Sequence, residues 1–246
     1  MNSFISSEEQ KLTERFLRDG YVIKPAESRK DLALFRGQAE LALGALDLDY
    51  THDLIEPENL NALKLAFMQR LNDSDWARLA YFNLARELLS ILIGNELAMQ
   101  KKFNVNIQLP KDNKSLLPVH ADTWTGDSPY QLVLWVPLVN CYRTKSMYIL
   151  PPGEEYSLAG SSEEVFASIK DRVKWLDIKF GEVLIFNSTL PHGNRLNEEE
   201  TTRWTINCRF KSIHSPWGVK GPGEHFEPIT LRAASRIGMA YQYPAV

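Results

Sequence analysis

The spacing of apolar residues along the chain changes near residue 100. Before that point apolar positions recur every three or four residues, which is the pattern of amphipathic helices. A first helix is predicted between a Ser6–Glu9 capping box and Gly20, which favours a helix end. Further helices are predicted over 29–46, 59–71 and 76–93, with a short strand at 21–23.

After residue 100 short apolar segments alternate with turns rich in proline and glycine, the pattern of antiparallel strands. Strands are predicted at 102–109, 130–139, 146–150, 173–178, 183–186 and 202–211, with helices at 161–169 and 230–239. This order predicts an α+β, mainly β fold, a sandwich or jelly roll backed by N-terminal helices. We expect one domain over 1–246, with a helical support region at 1–100, a β core at 101–212 and a C-terminal extension at 213–246.

Composition narrows the class of protein. Hydrophobic residues make up 44% and charged residues 24% of the 246 positions, as in packed globular proteins. The net charge of -3 gives no electrostatic reason to expect nucleic acid or an anionic membrane as partner. The N-terminus lacks a signal-peptide pattern, and the most apolar stretch, 88–93, is too short to span a bilayer. With Cys141 and Cys208 interpreted as free buried thiols, a cytoplasmic protein is expected.

Two segments in the β-rich half carry residues that suit a metal. His120-Ala121-Asp122 places a histidine and a carboxylate two residues apart, so that an extended backbone points both to one side. A second histidine, His192, lies in a predicted turn between Pro191 and Gly193. Either segment alone is more often a structural turn. Together they form a 2-His-1-carboxylate set typical of non-haem Fe(II), which predicts His120, Asp122 and His192 as catalytic iron ligands.

The predicted strand at 202–211 carries a polar face directly after this motif. Arg203, Thr205, Asn207 and Arg209 alternate with apolar residues and share one side of the strand. An isolated strand of this kind usually turns its polar face to water, but a strand in a closed core could line the metal cavity. The Arg203 guanidinium suits bidentate pairing with a carboxylate, and the Thr205 hydroxyl adds a donor. This predicts a 2-oxoglutarate site beside Fe(II), with O2 as the further reactant.

These motifs resemble the phytanoyl-CoA hydroxylase-like superfamily of Fe(II)/2-oxoglutarate oxygenases. The opening Phe16-Leu17-Arg18-Asp19-Gly20-Tyr21-Val22-Ile23 and the stretch at 128–138 also resemble that group. The resemblance implies a double-stranded β-helix (jelly roll, cupin-like), with His120, Asp122 and His192 on iron and Arg203 with Thr205 on 2-oxoglutarate. The intact carboxylate argues against a halogenase. Residue Val119 and the segment at 149–153 depart from the family pattern, so its substrate is not carried over.

Several further residues are candidates for the same cavity. The predicted cosubstrate contacts are Asn106 and Gln108, which alternate with apolar neighbours, and Gln131, which otherwise points to water. Trp124 is a candidate substrate contact or a packed aromatic residue. Arg209 either contacts substrate or pairs with a carboxylate. The loops at 116–128 and 150–162 are expected to frame the mouth of the site.

The sequence thus predicts a 2-oxoglutarate-dependent non-haem iron dioxygenase that hydroxylates or otherwise oxidises a small polar metabolite and releases succinate and CO2. A narrower resemblance, to a bacterial subgroup found among carbohydrate-biosynthesis genes, favours a sugar or sugar-containing substrate. The alternative is a cupin-like metal-binding or sugar-binding module without oxygenase activity. Arg203 discriminates between them, because a non-catalytic binder has no need for a carboxylate clamp. The oligomeric state is left open.

Overall fold

The computed structural model describes residues 4–157 and 161–244, and within these ranges antiparallel strands form two sheets around a cavity. The larger sheet has the order β1 (Tyr21–Pro25), β7 (Glu182–Asn187), β4 (Leu132–Pro137), β9 (Arg203–Ser212), β2 (Leu97–Gln100) and β10 (Phe226–Pro228), and β3 (Asn104–Gln108) also pairs with β9. The smaller sheet has the order β6 (Lys174–Trp175), β5 (Tyr148–Ile149) and β8 (His192–Gly193). Side chains from both sheets line the cavity.

Seven α-helices occur in the described ranges: α1 (Ser7–Asp19), α2 (Arg29–Leu43), α3 (Leu60–Asn72), α4 (Ala77–Asn83), α5 (Arg86–Ile93), α6 (Ser162–Ile169) and α7 (Ala233–Ala240). The capping box of the first helix is present, since Ser6 and Glu9 each accept a backbone N–H of the other. Gly20 ends that helix at φ 76°. A Cβ atom there would lie 2.6 Å from the Leu190 side chain, so only glycine fits without a shift. None of the described helices is long and apolar enough to cross a membrane.

The N-terminal helices pack on the outer face of the larger sheet. The rings of Phe67 on α3 and Trp204 on β9 lie 5.6 Å apart, and Phe35 on α2 lies 5.6 Å from Tyr81 on α4. The buried Tyr81 hydroxyl lies 2.8 Å from the carbonyl oxygen of Leu134 in β4. Because helices cover one face of β9, its opposite, polar face is directed toward the cavity.

The helix predicted over 76–93 is wrong as a single element, because the chain breaks at Ala85, where φ is −153° and ψ is 34°. The Glu27 backbone N–H donates to the carbonyl of Leu84 at 2.9 Å. The Glu27 carboxylate accepts the N–H groups of Glu87 and Leu88 at 2.9 and 3.0 Å. A residue distant in sequence therefore caps the second helix, and local periodicity gives no sign of it.

The strands follow the predicted order with three differences. Residues 97–100 and 226–228 form strands that were not predicted; the first is buried on both faces and shows no alternation, and the second has three residues. His192 lies in the two-residue strand β8 rather than in a turn. The predicted strands at 146–150 and 173–178 shrink to two residues each. Cys141 and Cys208 are free and buried, and burial raises the pKa of each thiol to about 12.

Candidate metal centre and cosubstrate site

The structure brings His120, Asp122 and His192 together in the wall of the cavity. His120 precedes the 3-10 turn Asp122–Thr125, and an isolated antiparallel bridge joins it to His192 on β8. Each histidine N–H donates to the carbonyl of the other, at 2.9 and 2.8 Å. One potential ligand atom from each of the three side chains lies within 4.8 Å of the others. This arrangement can hold a single metal ion.

Hydrogen bonds select the tautomer of both histidines. Nδ1 of His120 lies 2.8 Å from the carbonyl of Pro118, and Nδ1 of His192 lies 2.9 Å from the carbonyl of Leu190. Because a carbonyl only accepts, each Nδ1 carries the proton and each Nε2 keeps its lone pair for a metal. Burial lowers the pKa of His192 to about 4, so this ring is neutral at physiological pH.

This lowered pKa predicts that the metal-free protein loses stability as the pH falls from about 6.5 to about 4. In that window the unfolded chain protonates His192 while the folded protein keeps it neutral, which lowers the free energy of unfolding by up to about 3 kcal/mol. Denaturant unfolding of wild type and His192→Gln at several pH values measures this, because glutamine does not titrate. A stability difference between the two proteins that is independent of pH would contradict the assignment.

The Asp122 carboxylate is held by a bidentate pair with Arg209 on β9. Nε and one terminal nitrogen of Arg209 contact the two carboxylate oxygens at 3.0 and 2.5 Å. Burial alone raises the pKa of Asp122, but the hydrogen bonds and charge of Arg209 outweigh it and leave the pKa below its usual value. Gln100 in turn accepts from Arg209 at 3.2 Å. Of the two alternatives predicted for Arg209, the structure shows pairing with a carboxylate.

A second buried carboxylate extends this network. Asp127 accepts from Lys220 at 2.5 Å and from the Gln131 amide at 2.8 Å, and it lies 4.0 Å from Arg209. The Gln131 carbonyl oxygen accepts the Ser128 N–H at 2.8 Å. Gln131 is fully buried in these contacts and does not line the cavity, so its position gives no support to the predicted cosubstrate contact.

Arg209→Gln is expected to weaken Fe(II) binding by about tenfold, because it removes the group that orients Asp122 and lowers its pKa. The loss should be larger at pH 5.5 than at pH 7.5, since the buried carboxylate then holds a proton more readily. Competition with a fluorescent chelator at both pH values measures the affinity. Equal losses at the two pH values would show that Arg209 does not act through the ionisation of Asp122.

Arg203 is a buried cation without a carboxylate partner. Its side chain donates to the carbonyl of Ser146 at 2.8 Å and to the Asn106 amide oxygen at 2.7 Å. Among residues 4–157 and 161–244, its Nε has no hydrogen-bond partner and no acidic side chain pairs with it. Burial lowers its pKa to about 10, which leaves it charged at neutral pH. An unpaired buried charge is unfavourable, so the part of the cavity beside Arg203 favours an anion.

The polar face of β9 forms one wall of this cavity, as predicted. Arg203, Thr205, Asn207 and Arg209 all line a volume of about 590 Å³ that also contains the metal triad. Register pairing places Asn106 opposite Thr205, and the Thr205 hydroxyl lies 3.4 Å from the Asn106 carbonyl. The predicted carboxylate clamp and the predicted metal ligands therefore open onto one space.

Two other predicted contacts lie elsewhere. Gln108 is buried away from the cavity, where its amide donates to the Arg195 carbonyl at 2.8 Å and accepts from Asn194 at 3.1 Å. It fixes the segment that follows His192. Trp124 is partly exposed and packs 5.8 Å from the Tyr156 ring, outside the cavity wall.

Of the two predicted mouth loops, the one at 116–128 contributes to the cavity wall. The described part of the loop at 150–162 does not contribute, and residues 158–160 of that prediction lie outside the described residues.

Sequence reasoning missed several residues of the cavity, among them Lys64, Gln100, Asp127 and Lys220. Asp127 follows Asp122 by only five residues, and this closeness in sequence could have indicated a second carboxylate at the site. Lys64 lies on helix α3 outside its buried positions, and a lysine at such a helical position usually faces water. Only the packing of α3 beside β3 brings this residue to the cavity.

No protein-family model matches the chain, and no curated protein sequence matches it. Solved structures do resemble it. AviO1 from Streptomyces viridochromogenes Tue57 is 16% identical with a TM-score of 0.59, covering 87% of this chain and 99% of that one. EctD from S. alaskensis, solved with 2-oxoglutarate and 5-hydroxyectoine, is 20% identical with a TM-score of 0.58, covering 93% and 86%.

A third similar structure is the epimerase SnoN in complex with Fe3+, alpha ketoglutarate and nogalamycin RO, at 14% identity and a TM-score of 0.55, covering 93% of this chain and 97% of that one. The chain therefore has the fold of non-haem iron, 2-oxoglutarate-dependent enzymes, and the predicted jelly roll is confirmed. These structures agree with the superfamily resemblance seen in the sequence at the level of the fold, whereas the narrower carbohydrate subgroup stays a prediction.

Proposed function

We propose that this protein is an Fe(II)- and 2-oxoglutarate-dependent oxygenase that acts on a small polar metabolite. The observation that carries the proposal is the buried, unpaired Arg203 in the same cavity as the triad. A dicarboxylate fits the triad and Arg203 together, because one of its carboxylates can bind the metal and the other can pair with the guanidinium. SnoN and EctD, which share the fold, have been solved with alpha ketoglutarate and with 2-oxoglutarate.

The residues present fit the metal and the cosubstrate. His120 and His192 present unprotonated Nε2 atoms, and Asp122 supplies an anionic oxygen beside them. Two neutral imidazoles and one carboxylate are the donor set that suits Fe(II) and leaves positions open. Arg203 and Thr205 would bind the far carboxylate of the cosubstrate. Bound iron and 2-oxoglutarate would supply O2 activation for oxidation of a C–H bond, with release of succinate and CO2.

Apolar side chains complete the wall and control water. Val133, Trp135 and Phe186 come from the larger sheet, and Met147 precedes β5 of the smaller one. These groups lower the local dielectric, which strengthens the interaction of Arg203 with a carboxylate. They also keep water from the reacting centre, which protects a reactive intermediate from side reactions. A cavity of about 590 Å³ has room for a cosubstrate and a small substrate together.

The substrate class is proposed more narrowly as a sugar or sugar-containing compound. This rests on the sequence resemblance to the carbohydrate subgroup and on the polar part of the wall, where Asn104, Asn106 and Asn207 offer hydrogen bonds to hydroxyl groups. Hydroxylation is the proposed outcome, and desaturation, ketone formation and epimerisation share the same cofactor requirement.

Anaerobic titration of 2-oxoglutarate into the Fe(II)-loaded protein tests the proposal. A metal-to-ligand charge-transfer band should appear and saturate, because the 2-oxo acid chelates the iron. Succinate has both carboxylates but no keto group, so it should give no band and serves as the matched control. Folded, iron-bound protein that shows no band with 2-oxoglutarate would contradict the oxygenase and favour the metal-binding module.

A further inference from the structure

The charges that line the cavity do not balance. Its described lining residues include two acids, Asp122 and Asp127, and four cations, Lys64, Arg203, Arg209 and Lys220. Two of the cations are already paired with the two acids. This leaves two uncompensated positive charges, those of Arg203 and Lys64.

Lys64 lies on α3, the helix that packs beside β3 at the edge of the cavity. It is partly buried, and within the described chain it has neither a hydrogen-bond nor an ion-pair partner. Burial lowers its pKa, and the positive charge of Arg203 lowers it further. The charge nearest to Lys64 therefore repels it. A lysine with a structural role normally pairs with a carboxylate instead.

Binding of the cofactors proposed above does not remove this excess. The two negative charges of 2-oxoglutarate match the two positive charges of Fe(II), so the loaded cavity keeps the same excess as the empty one. Arg203 gains a carboxylate partner in that state, whereas Lys64 gains none. Asn61, one helical turn before Lys64, also lines the cavity and offers amide donors.

We propose that Lys64 is a substrate-binding residue, and that the substrate carries an oxyanion, a phosphate ester or a carboxylate, which Lys64 binds with help from Asn61. This inference rests on the proposed oxygenase function and narrows its substrate class. An acidic or phosphorylated sugar meets both the hydroxyl-binding wall and the free cation. The paired charges of Arg209 and Lys220 remain with their carboxylates, so specificity for the anion depends on Lys64.

The test uses two small probes, methyl phosphate and acetate, titrated calorimetrically into the anaerobic Fe(II)- and 2-oxoglutarate-loaded protein. At least one should bind, and Lys64→Gln should weaken it by about tenfold. Lys64→Arg should retain binding, because it keeps the charge. Lys30→Gln is the matched control: it removes an exposed lysine outside the cavity and should leave probe affinity unchanged. The probe that binds more tightly distinguishes a phosphate ester from a carboxylate.

The affinity for 2-oxoglutarate separates this inference from its alternatives. Lys64→Gln should leave that affinity within about twofold of wild type, since Arg203 binds the cosubstrate. Equal probe affinity in wild type and Lys64→Gln would overturn the inference. A loss of 2-oxoglutarate affinity as large as the loss of probe affinity would also overturn it, by placing Lys64 in the cosubstrate site. Absence of the charge-transfer band would instead contradict the oxygenase function, and probe titration of the metal-free protein would still report on Lys64.

Discussion

Replacement of His192 with alanine should abolish the charge-transfer band and substrate-stimulated succinate release. The His192 side chain is buried, and its Nδ1 hydrogen-bonds to the Leu190 carbonyl, which leaves Nε2 free to bind a metal together with His120 and Asp122. Alanine leaves two protein ligands on the metal, and we expect Fe(II) affinity to fall by at least about 100-fold, because even residues that only support a ligand cost 10- to 100-fold. Competition with a chelator measures the affinity directly.

His214→Ala is the matched control for this change. His214 is exposed, contacts Glu96 and does not line the cavity, so its loss should leave metal binding unchanged. If His192→Ala retained full Fe(II) affinity and a normal band while remaining folded, the triad could not be the metal site.

Arg203→Lys should weaken 2-oxoglutarate binding by about 100-fold, which corresponds to ~3 kcal/mol. Lysine keeps the positive charge but loses the planar fork that pairs with both oxygens of a carboxylate. It also gives up one of the hydrogen bonds that Arg203 makes to Ser146 and Asn106, so the cation is held less firmly. Titration of the charge-transfer band gives the dissociation constant, and Fe(II) affinity should be unaffected.

Arg172→Lys provides the comparison, because Arg172 pairs with Glu154 on the surface and takes no part in the cavity. The cosubstrate should also raise the melting temperature of wild type more than that of Arg203→Lys, since at equal concentration the ligand that binds more tightly stabilises the folded state more. An unchanged dissociation constant in Arg203→Lys would remove Arg203 from the cosubstrate site.

The sequence predicted the structure best where the spacing of neighbouring residues and their chemical types indicate the same feature. The two histidine segments and the alternation of β9 predicted the triad and the inward polar face, because residue spacing determines which side of a strand a side chain occupies. The Ser6–Glu9 box and Gly20 predicted both ends of the first helix for the same reason. These features depend on neighbours a few residues apart.

The features that sequence reasoning missed depend on residues far apart in the chain. Glu27 breaks a continuous helical pattern by capping α5 from about sixty positions away. Gln108 and Gln131 look like cavity residues from alternation alone, yet each amide hydrogen-bonds to a buried side chain, that of Asn194 or of Asp127. Lys64 looks like a solvated helix residue until α3 is placed beside β3. Tertiary packing, rather than propensity, decides such positions.

The backbone bridge between His120 and His192 has a consequence for how a metal enters. The two imidazoles are fixed by a strand ladder and by their own carbonyl contacts while the protein folds. The entropy cost of ordering these two ligands therefore arises during folding and not during metal binding. In small zinc domains, by contrast, the ion itself drives folding. Removal of a bound ion should then leave the protein folded, with both imidazoles still in position to bind another ion.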